Sequence, residues 1–437
     1  MAQFRLARLC LMLAAIGVSA PALVTSAHAQ QKDAAAPAAA AAQKDTVRPE
    51  IFKLLDPAAI KPLMDAKNHT EVQNRITQAE AFPNRTPYED YVINRMKLSL
   101  GSSTNNNALA MPALEAVINS GRLTGAEQAN FIQALANMHY NAKDYPKAIE
   151  WFKRYQKESP TPEAVRPALI RAYYLNNDFA TAKTELAAML AESQKTGKAP
   201  SEEDLRLLAT AANKTKDDAG YLAALEQLVR YYPKDEFWVD LLSRGVARKA
   251  GFDEATFGQS MLRLEFAAAK NDLPPEHYTF LAETALRDGF PAEAKEVLDA
   301  GFAAGVLGKG GDAKTHTALR SKATKQAADD AKTIAAGEAS AAKSKTGAGL
   351  VNIGWAYTTM GQADKGIGFI QQGIAKGGLK NADEAKLRLG AAQARAGKKA
   401  EAIQTFESIK GGGGASDIAK YWVLLLNQPG GAQTAAN

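Results

Sequence analysis

Apolar residues recur along most of this chain at the three- and four-residue spacing of amphipathic helices, broken by short polar turns. The clearest stretch is Asn130–Pro160, NFIQALANMHYNAKDYPKAIEWFKRYQKESP, which reads as two short helices and a turn. Leu135, Ala136 and His139 mark the inner face of the first helix. Tyr145, Ala148 and Phe152 mark that of the second, and Pro160 closes the unit. The next unit repeats the spacing. Leu135 is matched by Leu169, His139 by Tyr173, Tyr145 by Phe179, Ala148 by Ala182 and Phe152 by Leu186, each pair 34 residues apart. A fixed period of that size predicts a helical repeat array, in which each hairpin buries its apolar face on the next.

The small residues midway along these helices and the closing proline resemble the tetratricopeptide repeat family. The resemblance implies an all-α, right-handed superhelical solenoid of antiparallel helix pairs. It also implies that the first helix of each pair lines a concave groove that holds a protein or peptide partner.

Taken in order, residues 1–29 read as a signal peptide and 30–48 as a mobile Ala/Pro/Gln linker. Residues 49–128 carry degenerate repeat-like helices at Pro57–Ala66, Thr70–Ala81, Pro87–Leu100 and Ala108–Ser120, with their small residues out of phase. The array proper spans 129–304. Pro167 requires its helix either to begin at Arg166 or to kink. Ser201 and Asp204 predict a capped helix start, and Lys214–Ala219 a lengthened turn. Residues 305–346 interrupt the array with an Ala/Lys helix over about Ala313–Ala342 and are the expected hinge or domain boundary. Residues 347–427 return to the repeat: Ile353, Gly354, Gly361, Gly366 and Ile370 are echoed 36 residues later by Leu389, Gly390, Gly397, Ala402 and Phe406. Gly366 replaces the usual alanine and weakens its helix. Ser416–Asn427 is a strongly apolar last helix expected to cap the open end of the array, and 428–437 is a disordered tail.

The address comes from the first residues. Arg5 and Arg8 precede an apolar run from Leu9 to Val18, too short to span a bilayer. Ala27-His28-Ala29 is a small-x-small cleavage site, so the mature chain is expected to begin at Gln30 in the periplasm. Cys10, the single cysteine, lies inside that signal, which leaves no thiol for disulfides, zinc or nucleophilic chemistry. Without Arg5 and Arg8 the chain has 51 basic and 47 acidic residues, a net +4 from the +6 of the whole. The charges are interspersed and lack a basic-aromatic stripe, which disfavours nucleic acid as a partner.

Three motifs touch on chemistry, and each reads better as coincidence. Gly308–Thr315, GKGGDAKT, lacks the second glycine and the preceding strand of a phosphate loop. Ser340-Ala-Ala-Lys343 and Lys345-Thr346-Gly347 are nearly contiguous, whereas the enzymes that use such motifs bring them together from far apart. Glu407-Ser408 is similar to the Glu-Ser pair of lytic transglycosylases, but too little chain follows for a catalytic domain. His69, His139, His277 and His316 have no metal-ligand spacing, and His139 occupies a core position. The chain is thus expected to be a non-enzymatic scaffold with no cofactor or metal. It is expected to act in cell-envelope assembly or maintenance, with a subunit of a polysaccharide export machine and a peptidoglycan-active lytic enzyme as the alternatives.

The resemblance places the partner-binding residues on the first helices, off the packing seam. They are Asn130, Gln133, Asn137 and Asn141 in one unit, and Arg171 and Tyr174 in the next. Arg206, Asn213 and Lys214 follow, then Asn352, Arg388 and Arg395. Amides and cations suit an extended peptide backbone. Some family members clamp a C-terminal carboxylate with a lysine four residues before an asparagine. Here Gln133 stands before Asn137, so that mode is in doubt.

Overall fold

A computed structural model describes residues 45–428 except 270 and 272. The expected signal peptide, most of the linker and the tail from 429 lie outside the described residues. The described residues form α-helices joined by short turns, and most helices pack most closely on a neighbour in sequence. Contacts divide the chain into two units at Ala182/Lys183. That division does not fall at 305–346, which lies inside the second unit.

The first unit runs through α1 (Pro49–Leu55), α2 (Pro57–Asp65), α3 (His69–Glu80), α4 (Pro87–Ser103), α5 (Asn107–Asn119), α6 (Gly125–Asn141), α7 (Tyr145–Glu158) and α8 (Arg166–Leu175) to the start of α9 (Phe179–Lys195). Ile51, Val72, Ile76 and Ile93 form the core of its first part. A second cluster runs from Leu98 through Leu114, Leu135 and Phe152 to Ala182. The small residues of α4 and α5 are in register after all, at 35 residues rather than 34. Leu100, Gly101, Ala113 and Val117 stand where Leu135, Ala136, Ala148 and Phe152 stand in the next hairpin. Gly101 is needed there, since a Cβ would lie 2.8 Å from the Ala110 nitrogen. The expected linker also ends earlier than 48. Arg48 Nε and Nη2 donate to Glu89 at 2.8 and 2.9 Å, and the Arg48 backbone N–H adds a bond of 3.0 Å. At Pro167 the chain takes the first alternative: a 3-10 turn, Pro162–Val165, delivers it to a helix that begins at Arg166.

The second unit continues with α10 (Glu202–Lys214), α11 (Asp218–Tyr231), α12 (Asp235–Leu242), a π-helical turn at Ser243–Ala247, α13 (Glu254–Ala269), α14 (Pro275–Arg287) and α15 (Pro291–Ala303). It ends with α16 (Ala313–Lys343), α17 (Ala348–Thr359), α18 (Ala363–Lys376), α19 (Ala382–Arg395), α20 (Lys399–Glu407) and α21 (Ala415–Leu426). Ser201 caps α10 by accepting from the Asp204 N–H at 3.1 Å. The turn after α10 is not lengthened: Asp217 already caps α11 through the Gly220 N–H at 2.9 Å.

Three expectations about this unit change. Gly366 is not merely a weak alanine. A Cβ there would lie 2.3 Å from Thr358 Oγ1 and 2.4 Å from the Gly354 oxygen, so paired glycines bring α17 and α18 backbone to backbone. The inserted helix α16 is no free hinge. Its first third is tied to α15 by Arg320–Asp299 at 2.6 Å, and its last third packs on α17. Finally, α21 does more than cap an end. Trp422 stacks on Phe406 at 5.4 Å, but Tyr421 fits over Gly245 and reaches Glu226, Lys249 pairs with Asp417 at 2.8 Å, and buried Gln428 donates to the Val229 carbonyl. The C-terminal hairpins therefore fold back on the first hairpins of their own unit. Helix α13 is held between them, buried almost all round from Phe257 to Ala269.

Candidate functional site

Helix α6 turns one side to the core and the other to solvent. At 100° per residue, Leu135, His139 and Ile132 cluster on the buried side. His139 is indeed a core residue, with Nδ1 3.1 Å from Asp144 Oδ2. Opposite them, Asn130, Asn137 and Asn141 fall within about 20° of one line, with Gln133 about 60° away. Asn130 and Asn141 are exposed, whereas Gln133 and Asn137 are half-buried. Among the described residues none of these four amide side chains is engaged in a hydrogen bond. Their amide groups are thus left to bond water or a partner rather than the protein itself.

The rim of this row is ionic and aromatic. Arg95 Nη1 donates to Glu127 at 2.7 Å and its guanidinium lies over Tyr91 and Phe131. Tyr140 meets Tyr145 edge-on at 5.8 Å. One repeat later Tyr174 meets Phe179 in the same way at 5.2 Å. Sequence reasoning singled out Tyr174 and missed Tyr140, although the two stand 34 residues apart. Arg171 is half-buried and already engaged within the protein.

In the second unit the predicted residues are mostly consumed. Arg206 donates to Glu202 at 2.9 Å, also pairs with Glu236, and covers the Phe237 ring. Asn213 accepts from Arg244 at 3.2 Å, while Lys214 stays exposed. Arg388 bonds Glu384 at 3.0 Å and Asn352 at 2.9 Å. Arg395 forms a two-pronged pair with Glu296 at 2.9 and 3.2 Å. Arg395 therefore ties α19 to α15, while Arg388 joins α19 to Asn352 of α17 and lies over the Phe290 ring, so both arginines are already engaged within the unit; Asn352 remains exposed.

At the centre of that contact is a buried charge cluster that sequence reasoning did not find. Arg263 pairs with Glu293, which also accepts from Trp355 Nε1 at 2.9 Å, and Glu384 accepts from Ser260 at 2.7 Å. Burial opposes ionisation of Glu293, but the Arg263 charge and the N–H donors outweigh it and hold the carboxyl below the usual range. The one available signal was α13 itself, whose run SMLRLEFAAA offers no continuous polar face.

None of the three chemical motifs gains a setting. Gly308–Thr315 runs from a turn into α16, with the Gly308 N–H donating to His316. Ser340–Lys343 is the last turn of that helix, and Glu407 is exposed at the end of α20.

A family model described as tetratricopeptide repeat matches residues 384–411, which are α19 and α20. No curated protein matches the sequence. Among solved structures, the complex of Naa15/Naa10 bound to HypK-THB aligns with 14% identity over 85% of this chain and 67% of that chain, at a TM-score of 0.28.

Proposed function

We propose, from the premise that this is a chain of tetratricopeptide-repeat hairpins, that it is a non-catalytic scaffold whose first unit holds an extended protein segment along α6. The observation that carries this reading is the half-burial of Gln133 and Asn137 with their amides unengaged. A peptide backbone laid along the row offers alternating donors and acceptors, which a side-chain amide can answer with either end. The flanking Tyr140 and Tyr174 would give such a segment apolar contact. The second unit contributes rigidity, since its candidate residues hold its own hairpins together.

The same reading assigns the protein to the periplasm, with a role in assembling or maintaining the cell envelope. Its support is the signal pattern of residues 1–29 and the absence of cysteine from the rest of the chain. Amino-terminal sequencing of exported protein should begin at Gln30, and an intact Met1 in a cytoplasmic fraction would refute the assignment.

The binding claim is tested by placing a photo-crosslinking side chain at Asn141, the exposed carboxy-terminal end of the row. Capture of one discrete set of envelope proteins is expected, with the double variant Gln133→Ala, Asn137→Ala cutting that capture about tenfold. Undiminished capture by the double variant would refute the role given to the amides.

A further inference from the structure

Helix α16 is 31 residues long and stands half out of the second unit. Ala323, Ile334 and Ala341 face inward, and Gly337 approaches Ile353 on that side. The opposite side carries a line of lysines. Lys314, Lys325, Lys332 and Lys343 are spaced 11, 7 and 11 residues apart, which keeps all four within about 20° of one direction at 100° per residue. All four are exposed. The line is about 44 Å long at 1.5 Å per residue. Within about 40° of that line the other residues are alanine and serine, such as Ser321 and Ala336, with Thr317 and Asp329 about 60° to either side, so no large apolar side chain keeps the helix from lying close to a surface.

The acids of the helix leave this line almost untouched. Glu338 is turned to Tyr357 and Lys365, and Asp330 faces inward, its carboxyl raised by burial. Asp329 pairs with Lys332 at 3.3 Å, and Lys314, Lys325 and Lys343 have no acidic partner among the described residues. The chain as a whole is nearly balanced in charge, so this concentration on one straight edge is local.

We infer that the outer face of α16 is a docking surface for an anionic phospholipid bilayer. The geometry selects this occupant. A straight row of about one charge per 14 Å suits a flat field of acidic headgroups. It is too sparse for a nucleic-acid duplex, which presents a charge every 1.7 Å or so. A partner helix would require an apolar seam, and alanine alone buries little area. With no Trp, Phe or Leu on this face, contact is electrostatic and peripheral rather than inserted. The inference is independent of the peptide-binding reading of α6, which concerns the other unit.

The test is sedimentation of the full chain with phosphatidylcholine vesicles made with and without phosphatidylglycerol. Binding is expected only to the anionic vesicles and is lost at high salt. Each of Lys314→Gln, Lys325→Gln, Lys332→Gln and Lys343→Gln should lower partitioning about fivefold, and the fourfold variant should abolish it. A charge-matched control, Lys147→Gln with Lys195→Gln, Lys198→Gln and Lys410→Gln, should bind as the native chain does. If the fourfold variant loses helicity, the single variants carry the test, because all four side chains are exposed and only Lys332 has an ion-pair partner among the described residues, the exposed Asp329. Equal binding to neutral vesicles, equal loss in the control, undiminished binding by the lysine variants, or retention on polyglutamate without vesicle binding would each overturn the inference.

Discussion

Arg263 and Glu293 face each other in a two-pronged ion pair, Nε to Oε1 at 2.6 Å and Nη2 to Oε2 at 2.9 Å, with both side chains almost wholly buried. The pair is worth little against an apolar replacement, because desolvating two ions costs about as much as their attraction returns. Breaking it from one side is another matter. Glu293→Gln should destabilise the second unit by about 3–5 kcal/mol, because Arg263 stays buried with only the more distant Glu384, 3.7 Å from Nη1, to offset its charge. The double variant Arg263→Leu, Glu293→Leu should cost less than the single one. Urea unfolding of the three proteins checks the order, and a double variant worse than Glu293→Gln would sink the argument.

The close approach of α17 and α18 makes the opposite prediction to helix propensity. Alanine is the better helix former by about 1 kcal/mol, so an open site should gain from it. Gly368 is such a site, with nothing within 4 Å of where a Cβ would stand, and Gly368→Ala should raise stability by about that amount. Gly366→Ala, two residues earlier, should instead lower it by about 1–3 kcal/mol, because the methyl meets the Gly354 carbonyl and Thr358. Thermal unfolding of the two variants would show opposite shifts. Shifts in the same direction would mean the helices can part without penalty.

These two sites mark the limit of what sequence can reveal. The hairpins were legible because their signal is local: a small residue, a turn and a bulky residue recur within each 34-residue window, from Leu135 to Leu186. Gly366 was placed correctly in that pattern, but its partner Gly354 had to be seen across the interface to give it a purpose. The return of α19 and α21 onto the earlier hairpins left no such trace. Ser260–Glu384 spans 124 residues and Lys420–Glu226 spans 194, and no periodicity links positions that far apart. The candidate site divided along the same line. The amide row of α6 could be drawn from the sequence because it belongs to one helix, while Arg395 looked like a groove cation until Glu296, 99 residues earlier, came to meet it; the Arg388–Glu384 pair, four residues apart on α19, was legible and was overlooked.

Glu89 links Arg48, just before α1, to α4, and its protonation should loosen that link. Hydrogen bonding from Arg48 outweighs the desolvation that opposes ionisation, and the Thr86 N–H assists, so the carboxyl is held down at about 2. The folded value lies below the unfolded 4.5, so the carboxylate's stabilisation is complete above about pH 4.5 and drains away as the pH falls toward 2. Glu89→Gln should therefore cost about 2–3 kcal/mol at neutral pH and progressively less below pH 4.5. Hydrogen exchange in α1 and α4, followed against pH in both proteins, checks this. A difference that stayed constant down to pH 2 would show that the carboxylate charge is not what matters.

The amide row separates binding from folding. A residue kept for packing loses stability when it is truncated, whereas one kept for a partner does not. Gln133 and Asn137 are half-buried on a well-formed helix and have no internal hydrogen bond to lose. Alanine also favours the helix over asparagine by roughly half a kcal/mol. Gln133→Ala and Asn137→Ala should thus leave the unfolding free energy within about 0.5 kcal/mol of native or raise it slightly. Leu135→Ala, on the core side of the same helix, should lower it by about 2–5 kcal/mol. Denaturant titration of the three variants reads the contrast directly. A loss above about 1 kcal/mol at Asn137 would assign the residue to the architecture of α6 and remove it from the surface that a partner touches.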